Sequence, residues 1–166
     1  RHVLGHQTYT AEVCAKVDPT TFDYVVGASM FVRRSVLEHV GLLDEGYFLY
    51  SEEIDWATRL KREMPELTLG YAPNSLVYHK EGASTGANEQ IEKTYSYFAD
   101  YFFITSRIKF ARKFYPGRRW CVQLSMLWVA FNRMRRAQWR SVVVALCAFI
   151  GWIPAALDPR CIQGKN

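Results

Sequence analysis

The alternation of apolar and polar positions divides the chain into short elements in front and long ones behind. Residues 24–32 are apolar and rich in β-branched side chains around a small centre, Gly27-Ala28-Ser29, which predicts a buried strand. Residues 33–40 predict a short helix with Gly41 in its C-terminal cap. A turn at 42–46 and an aromatic stretch at 47–50 lead to Ser51, placed to cap a helix from 52 to about 64. That helix has an acidic first turn, Lys61 and Arg62 in its last turn, and Pro65 after it, the order the helix dipole favours. Residues 67–71 and 75–79 read as strands around Ala72-Pro73-Asn74, followed by a Gly, Ser and Thr-rich loop at 80–88. Residues 1–20 show no period and read as loop. Beyond them, helical spacing covers 89–115, stopped by Pro116-Gly117, and then 119–137 and 140–152. The expectation is α/β over residues 1–88 and a helical extension over 89–166.

A length of 166 residues fits one domain or part of one, and 49% apolar residues can bury a core. The four cysteines (Cys14, Cys121, Cys147 and Cys161) are scattered without Cys-x-x-Cys spacing. That spacing argues against a zinc ribbon, a thioredoxin-type site or a dense disulfide scaffold, and for free thiols. Arg1 stands where an initiator Met would, and no signal-peptide pattern follows, so the expectation is the C-terminal part of a longer protein.

Charge changes the picture further. Residues 1–100 carry nine Lys or Arg against fifteen Asp or Glu, a net of −6, whereas 101–166 carry twelve against one, a net of +11. Such asymmetry implies two working surfaces. The basic half mixes its charges with Trp120, Leu124, Trp128 and Phe131, then runs without charge for the sixteen residues 142–157. Trp, Phe and Leu beside Arg suit a bilayer interface. The run falls short of the roughly 17–25 residues a span needs and contains Gly151 and Pro154, so it reads as interfacial or re-entrant. A buried helix pair in a water-soluble domain would give much the same composition. No nucleic-acid-reading motif accompanies the charge, so nucleic acid is not an expected partner.

Candidate chemistry centres on Ser51-Glu52-Glu53-Ile54-Asp55, three carboxylates within one helical turn. A carboxylate at a cleft can take a proton from an attacking hydroxyl, and its neighbours can tune it or help hold a divalent cation. Acidic first turns also stabilise helix starts with no further role. His79 lies at the end of a predicted strand before the Gly/Ser loop; the spacing does not establish that it is near Glu53. Gly-x-Ser-x-Gly, P-loop, His-Glu-x-x-His and Gly-x-Gly-x-x-Gly patterns are absent.

Four stretches (25–34, 40–60, 71–79 and 82–85) together resemble the second half of family 2 glycosyltransferases. They include Gly27-Ala28-Ser29, Asp44-Glu45-Gly46 and Glu52-Glu53-Ile54-Asp55-Trp56. The likeness covers about residues 21–115 and is nearest to the bacterial rhamnosyltransferase-like subgroup of cell-surface polysaccharide and cell-wall synthesis. It implies a GT-A fold, of which this chain would be the acceptor-side half of a Rossmann-like domain followed by the helical extension. It implies inverting transfer from a nucleotide-diphosphate sugar to a hydroxyl of a glycan or lipid-linked acceptor, supported by a divalent metal, Mg or Mn. Transferred residue by residue, the base falls on Glu53, with Glu52 and Asp55 beside it. Asp44, Gly27, Ala28 and Trp56 fall on the acceptor side, and His79 falls near the metal or diphosphate.

Two departures accompany the resemblance. The family's usual base is Asp, and here it is Glu. No Asp-x-Asp metal motif occurs in the chain, so most of the donor site would lie outside it, and the chain by itself is expected to be inactive. The basic helices would dock peripherally on the cytoplasmic face of a membrane. The alternative is a non-catalytic, membrane-associated binding module that keeps a degenerate glycosyltransferase fold.

Overall fold

The computed structural model describes residues 22–70, 72, 75, 77 and 97–163. In order they form a 3-10 turn (Gly27–Ser29), α1 (Arg34–Val40), α2 (Glu52–Glu63), α3 (Tyr97–Phe114), a 3-10 turn (Pro116–Arg118), α4 (Arg119–Met134), α5 (Trp139–Ile150), a 3-10 turn (Ala155–Leu157) and α6 (Pro159–Gln163). α1 to α5 fall where the apolar spacing and the Pro and Gly stops put them, the expected helical stretch 89–96 and loops 1–20 and 80–88 lie outside the described residues, and α6 has no counterpart in the sequence reading. No strand occurs among the described residues, which overturns the expected α/β, Rossmann-like half. The chemistry of 24–32 shows why. Val26 and Met30 are extended, but between them Ser29 donates to the Val26 carbonyl at 3.1 Å and closes a tight turn. An extended segment becomes a strand only when a neighbour takes its ladder hydrogen bonds. Nor is the segment buried, for Val26 is 62% and Phe31 99% exposed. At 67–70 the chain is likewise irregular, with the Leu67 N–H turned back to Met64 O at 3.0 Å. Of the strand expected at 75–79 only residues 75 and 77 are described, and the Ser75 N–H donates back to Ala72 O at 3.0 Å.

The chain divides into two compact units, Arg1–Leu42 with Trp56–His79 and Leu43–Asp55 with Lys80–Asn166. In the first, Val36 and Val40 of α1 bury against Trp56 and Leu60 of α2, flanked by Met30, Val32, Leu37, Met64, Leu67 and Leu69. Gly41 ends α1 in the left-handed region (φ 82°), donating to Leu37 O at 2.9 Å. Arg59 donates to the Val40 carbonyl and to Leu42 O at 2.6 Å, placing a cation on the negative end of α1.

In the second unit α3, α4 and α5 share one core. Ile104 and Ile108 of α3 meet Met126 and Ala130 of α4 and Val144, Ala145 and Ala148 of α5. One ion pair is buried there, Arg133 to Asp100 at 2.7 Å, with side chains 13% and 2% exposed. Burial raises the Asp100 pKa against the pull of Ser141 and Arg133. Gly151 stops α5 at φ 91°, and its carbonyl accepts from Arg112 at 2.6 Å. Cys121, Cys147 and Cys161 are free thiols, and Cys14 lies outside the described residues.

Candidate functional site

The acidic start of α2 belongs to the second unit, and the chain reaches it through an unusual turn. Tyr50 and Ser51 are consecutive non-glycine residues at φ 67° and 71°. The left-handed region costs an L-residue roughly 1–2 kcal/mol, so the turn persists only because its surroundings hold it. Ser106 of α3 donates to Leu49 O at 2.8 Å. Tyr50 meets Phe103 edge-on at 6.0 Å, and Phe48 packs on Phe102 at 4.6 Å. The aromatic stretch is therefore the anchor that fixes the helix start on α3. Ser51 serves through its carbonyl, which accepts the first helical bond from Asp55 N–H at 2.8 Å.

Beyond that turn, two lysines from α3 reach the acids. Lys113 Nζ lies 2.7 Å from Asp55 Oδ2 and 2.8 Å from Asp44 Oδ2. Lys109 Nζ lies 3.2 Å from Asp44 Oδ1 and 4.2 Å from the Tyr47 ring centroid, a cation–π contact. Asp44 Oδ1 also accepts from Gly46 N–H at 2.8 Å. Lys113 first, then the Gly46 N–H and Lys109, hold the Asp44 carboxyl well below the ordinary carboxylate range, against its desolvation. Burial works against the Lys113 charge, but Asp44 and Asp55 outweigh it and raise its pKa. Asp55 is fully buried, so it faces Lys113 rather than solvent.

Glu52 is different. Its Oε2 is buried with no hydrogen-bond partner among the described residues, and burial, then the charge of Glu53, raises its pKa. Glu53 follows on the same turn and is partly exposed. On the other side of the two lysines is a cavity of about 700 Å³ between α3 and the end of α5, whose lining includes Thr105, Lys109, Arg112, Lys113 and Trp152 and none of the four acids. It places three cationic side chains on one wall.

The structure thus brings Asp44, Asp55 and two lysines into contact and keeps Glu52 and Glu53 on the same helical turn. Gly27 and Ala28 belong to the first unit, on an exposed 3-10 turn rather than a strand. Trp56 is 2% exposed, and its indole N–H donates to Gly41 O at 2.7 Å. It is a core residue of the first unit. His79 lies outside the described residues. Among the described residues no three His, Cys, Asp or Glu side chains gather as a metal would need. Those residues by themselves do not make up a ligand set for Mg or Mn. In sequence Lys109 and Lys113 belong to the basic half and carry no sign of a site role beyond their charge and the four-residue spacing that puts both on one face of α3.

No family model matches the chain, and no solved structure is similar to it. It is similar to the N-acetylglucosaminyl-diphospho-decaprenol L-rhamnosyltransferase of Mycobacterium tuberculosis, in strain CDC 1551 / Oshkosh and in strain ATCC 25618 / H37Rv, at 32% identity over 84 residues in each. The match covers 51% of this chain and 27% of the relative, so the chain spans about a quarter of the length of the curated relatives it matches. By its name that relative is a glycosyltransferase that delivers L-rhamnose to a lipid-linked sugar diphosphate.

Proposed function

We propose that this chain is part of an inverting family 2 glycosyltransferase that moves a sugar, of rhamnose type, from a nucleotide diphosphate to a lipid-linked acceptor. The observation that carries the reading is the similarity to an L-rhamnosyltransferase across half the chain. The acidic first turn of α2 supports it. In this reading the Glu53 carboxylate takes the proton of the acceptor hydroxyl. The hydroxyl oxygen attacks the anomeric carbon as the bond to the leaving diphosphate breaks, and the nucleotide diphosphate departs with the electron pair. Glu52, whose raised pKa makes it a stronger base when ionised, lies beside it as the alternate acceptor of the proton. Asp44 and Asp55 are positioning residues, since both are held by lysines.

The test is transfer by the complete protein of its native reading frame, with a panel of nucleotide-diphosphate sugars and a polyprenyl-diphosphate sugar acceptor. Glu53→Gln is expected to abolish transfer while donor binding persists. Unchanged turnover in Glu53→Gln removes Glu53 from the mechanism. A second reading, a non-catalytic membrane-associated module, is favoured by one observation, the neutralisation of Asp44 and Asp55 by lysines. Absence of transfer with every donor selects it.

A further inference from the structure

The helical unit leaves apolar surface uncovered in a pattern that its own core does not explain. On α4, Trp120, Leu124, Leu127, Trp128 and Phe131 are all between 43% and 66% exposed. At about 100° per residue they fall within one arc of about 100°, the width of a core-facing stripe. The core side of the same helix is Met126 and Ala130, at 0% and 3%. On α5, Trp139, Val143, Leu146 and Ile150 repeat the pattern at 41% to 76%, opposite the buried Val144 and Ala145. Each helix is therefore apolar twice over, once toward the shared core and once toward solvent. Contiguous apolar surface of this kind marks an interaction site.

Charge indicates what covers it. Arg118 and Arg119 stand at the start of α4 with no acid in its first turn, and Arg140 stands at the start of α5, again with none. Cations there oppose the helix dipole, so they do not serve helix stability. Exposed Arg135 and Arg136 lie between the two helices. Lys109, Lys113, Arg133 and Arg160 are paired with acids inside the unit, whereas Arg118, Arg119, Arg135, Arg136 and Arg140 are all exposed, Arg135 over the Phe131 ring of the α4 stripe at 5.9 Å, Arg140 over Tyr97 at 5.9 Å and Arg136 within electrostatic reach of Asp100. Among the described residues no helix is long and apolar enough to cross a membrane. We propose that α4 and α5 form an in-plane docking surface for an anionic lipid bilayer, with their aromatic stripes seated at the headgroup level and the arginines on the phosphates. This goes beyond the transferase reading and stands whether or not the chain takes part in catalysis.

Trp120, Trp128, Trp139 and Trp152 are 58% to 70% exposed, and the remaining tryptophan, Trp56, is buried, so intrinsic fluorescence reports this surface. The experiment is sedimentation and tryptophan emission of the full chain with vesicles of phosphatidylcholine, alone or mixed with phosphatidylglycerol. The expected result is a blue shift and co-sedimentation with the mixed vesicles. W120A/W128A should lower partitioning about tenfold or more, and each of R135A, R136A and R140A about fivefold. These side chains are exposed, so the variants should keep the helical circular dichroism of the native chain. Four results overturn the proposal: no vesicle binding, equal binding to neutral vesicles, native partitioning by W120A/W128A, or a dimer in solution that W120A/W128A abolishes while vesicles stay unbound. The last assigns the stripes to a second copy.

Discussion

Replacing Lys113 by Met keeps the aliphatic stem and deletes the charge that joins Asp55 to Asp44. Removing one partner of a fully buried pair costs about 3–5 kcal/mol. The Lys113 side chain is 35% exposed and Asp55 is 0%, so solvent screens part of that loss and about 2 kcal/mol remains. For a chain of this size that is a fall in Tm of about 4–8 °C, followed by circular dichroism at neutral pH. Asp55→Asn in the same chain removes the charge left behind, and the double variant should recover about 1 kcal/mol or more. Acidification gives an independent check. The Asp44 pKa is lowered on folding, so its contribution is present above the unfolded value of about 3.9 and lost as pH falls through the folded one. The gap between native and Lys113→Met protein should thus persist at pH 4 and close only below it. Stability of Lys113→Met within about 0.5 kcal/mol of native, or no gain from adding Asp55→Asn, refutes this account of the network.

Three further outcomes follow from the same physics. Arg133→Met strands Asp100, 2% exposed, and should cost about 3–5 kcal/mol in urea unfolding, with a deficit that shrinks on acidification because a protonated Asp100 needs no counter-charge. Gly41→Ala should cost about 1 kcal/mol in the same assay, because φ is 82° while the nearest atom to a new Cβ, Arg59 Nη1, is an unstrained 3.7 Å away. Glu52 has a raised folded pKa, so its charge opposes folding once pH rises from the unfolded value of about 4.3 through the folded one. Glu52→Gln should therefore melt higher than native protein at pH 7 and match it below pH 4.

The helices were legible in the sequence because their signals are local. Pro116-Gly117 and Gly151 stop α3 and α5, and the acidic start and basic end of α2 mark its limits. The strand expected at 24–32 does not form because a strand requires a partner. Residues 24–32 have strand-like composition, yet Gly27-Ala28-Ser29 turns and Phe31 faces solvent. The acids of the site were legible as a cluster, but the cations that meet them were not. Lys109 and Lys113 stand 65 and 69 residues from Asp44, and only the tertiary fold makes them its partners. The resemblance puts Trp56 on the acceptor side, whereas its burial against Val36, Val40 and Leu60 follows from apolar spacing along α1 and α2.

The glycosyltransferase reading is tested most directly by transfer of labelled rhamnose from a nucleotide diphosphate to a polyprenyl-diphosphate sugar, using the complete protein of the native reading frame. The account predicts label in the lipid fraction with native protein and a loss of about 10²–10⁴-fold with Glu53→Gln. Label that reaches the lipid equally in Glu53→Gln, or never with any nucleotide-diphosphate sugar, contradicts it.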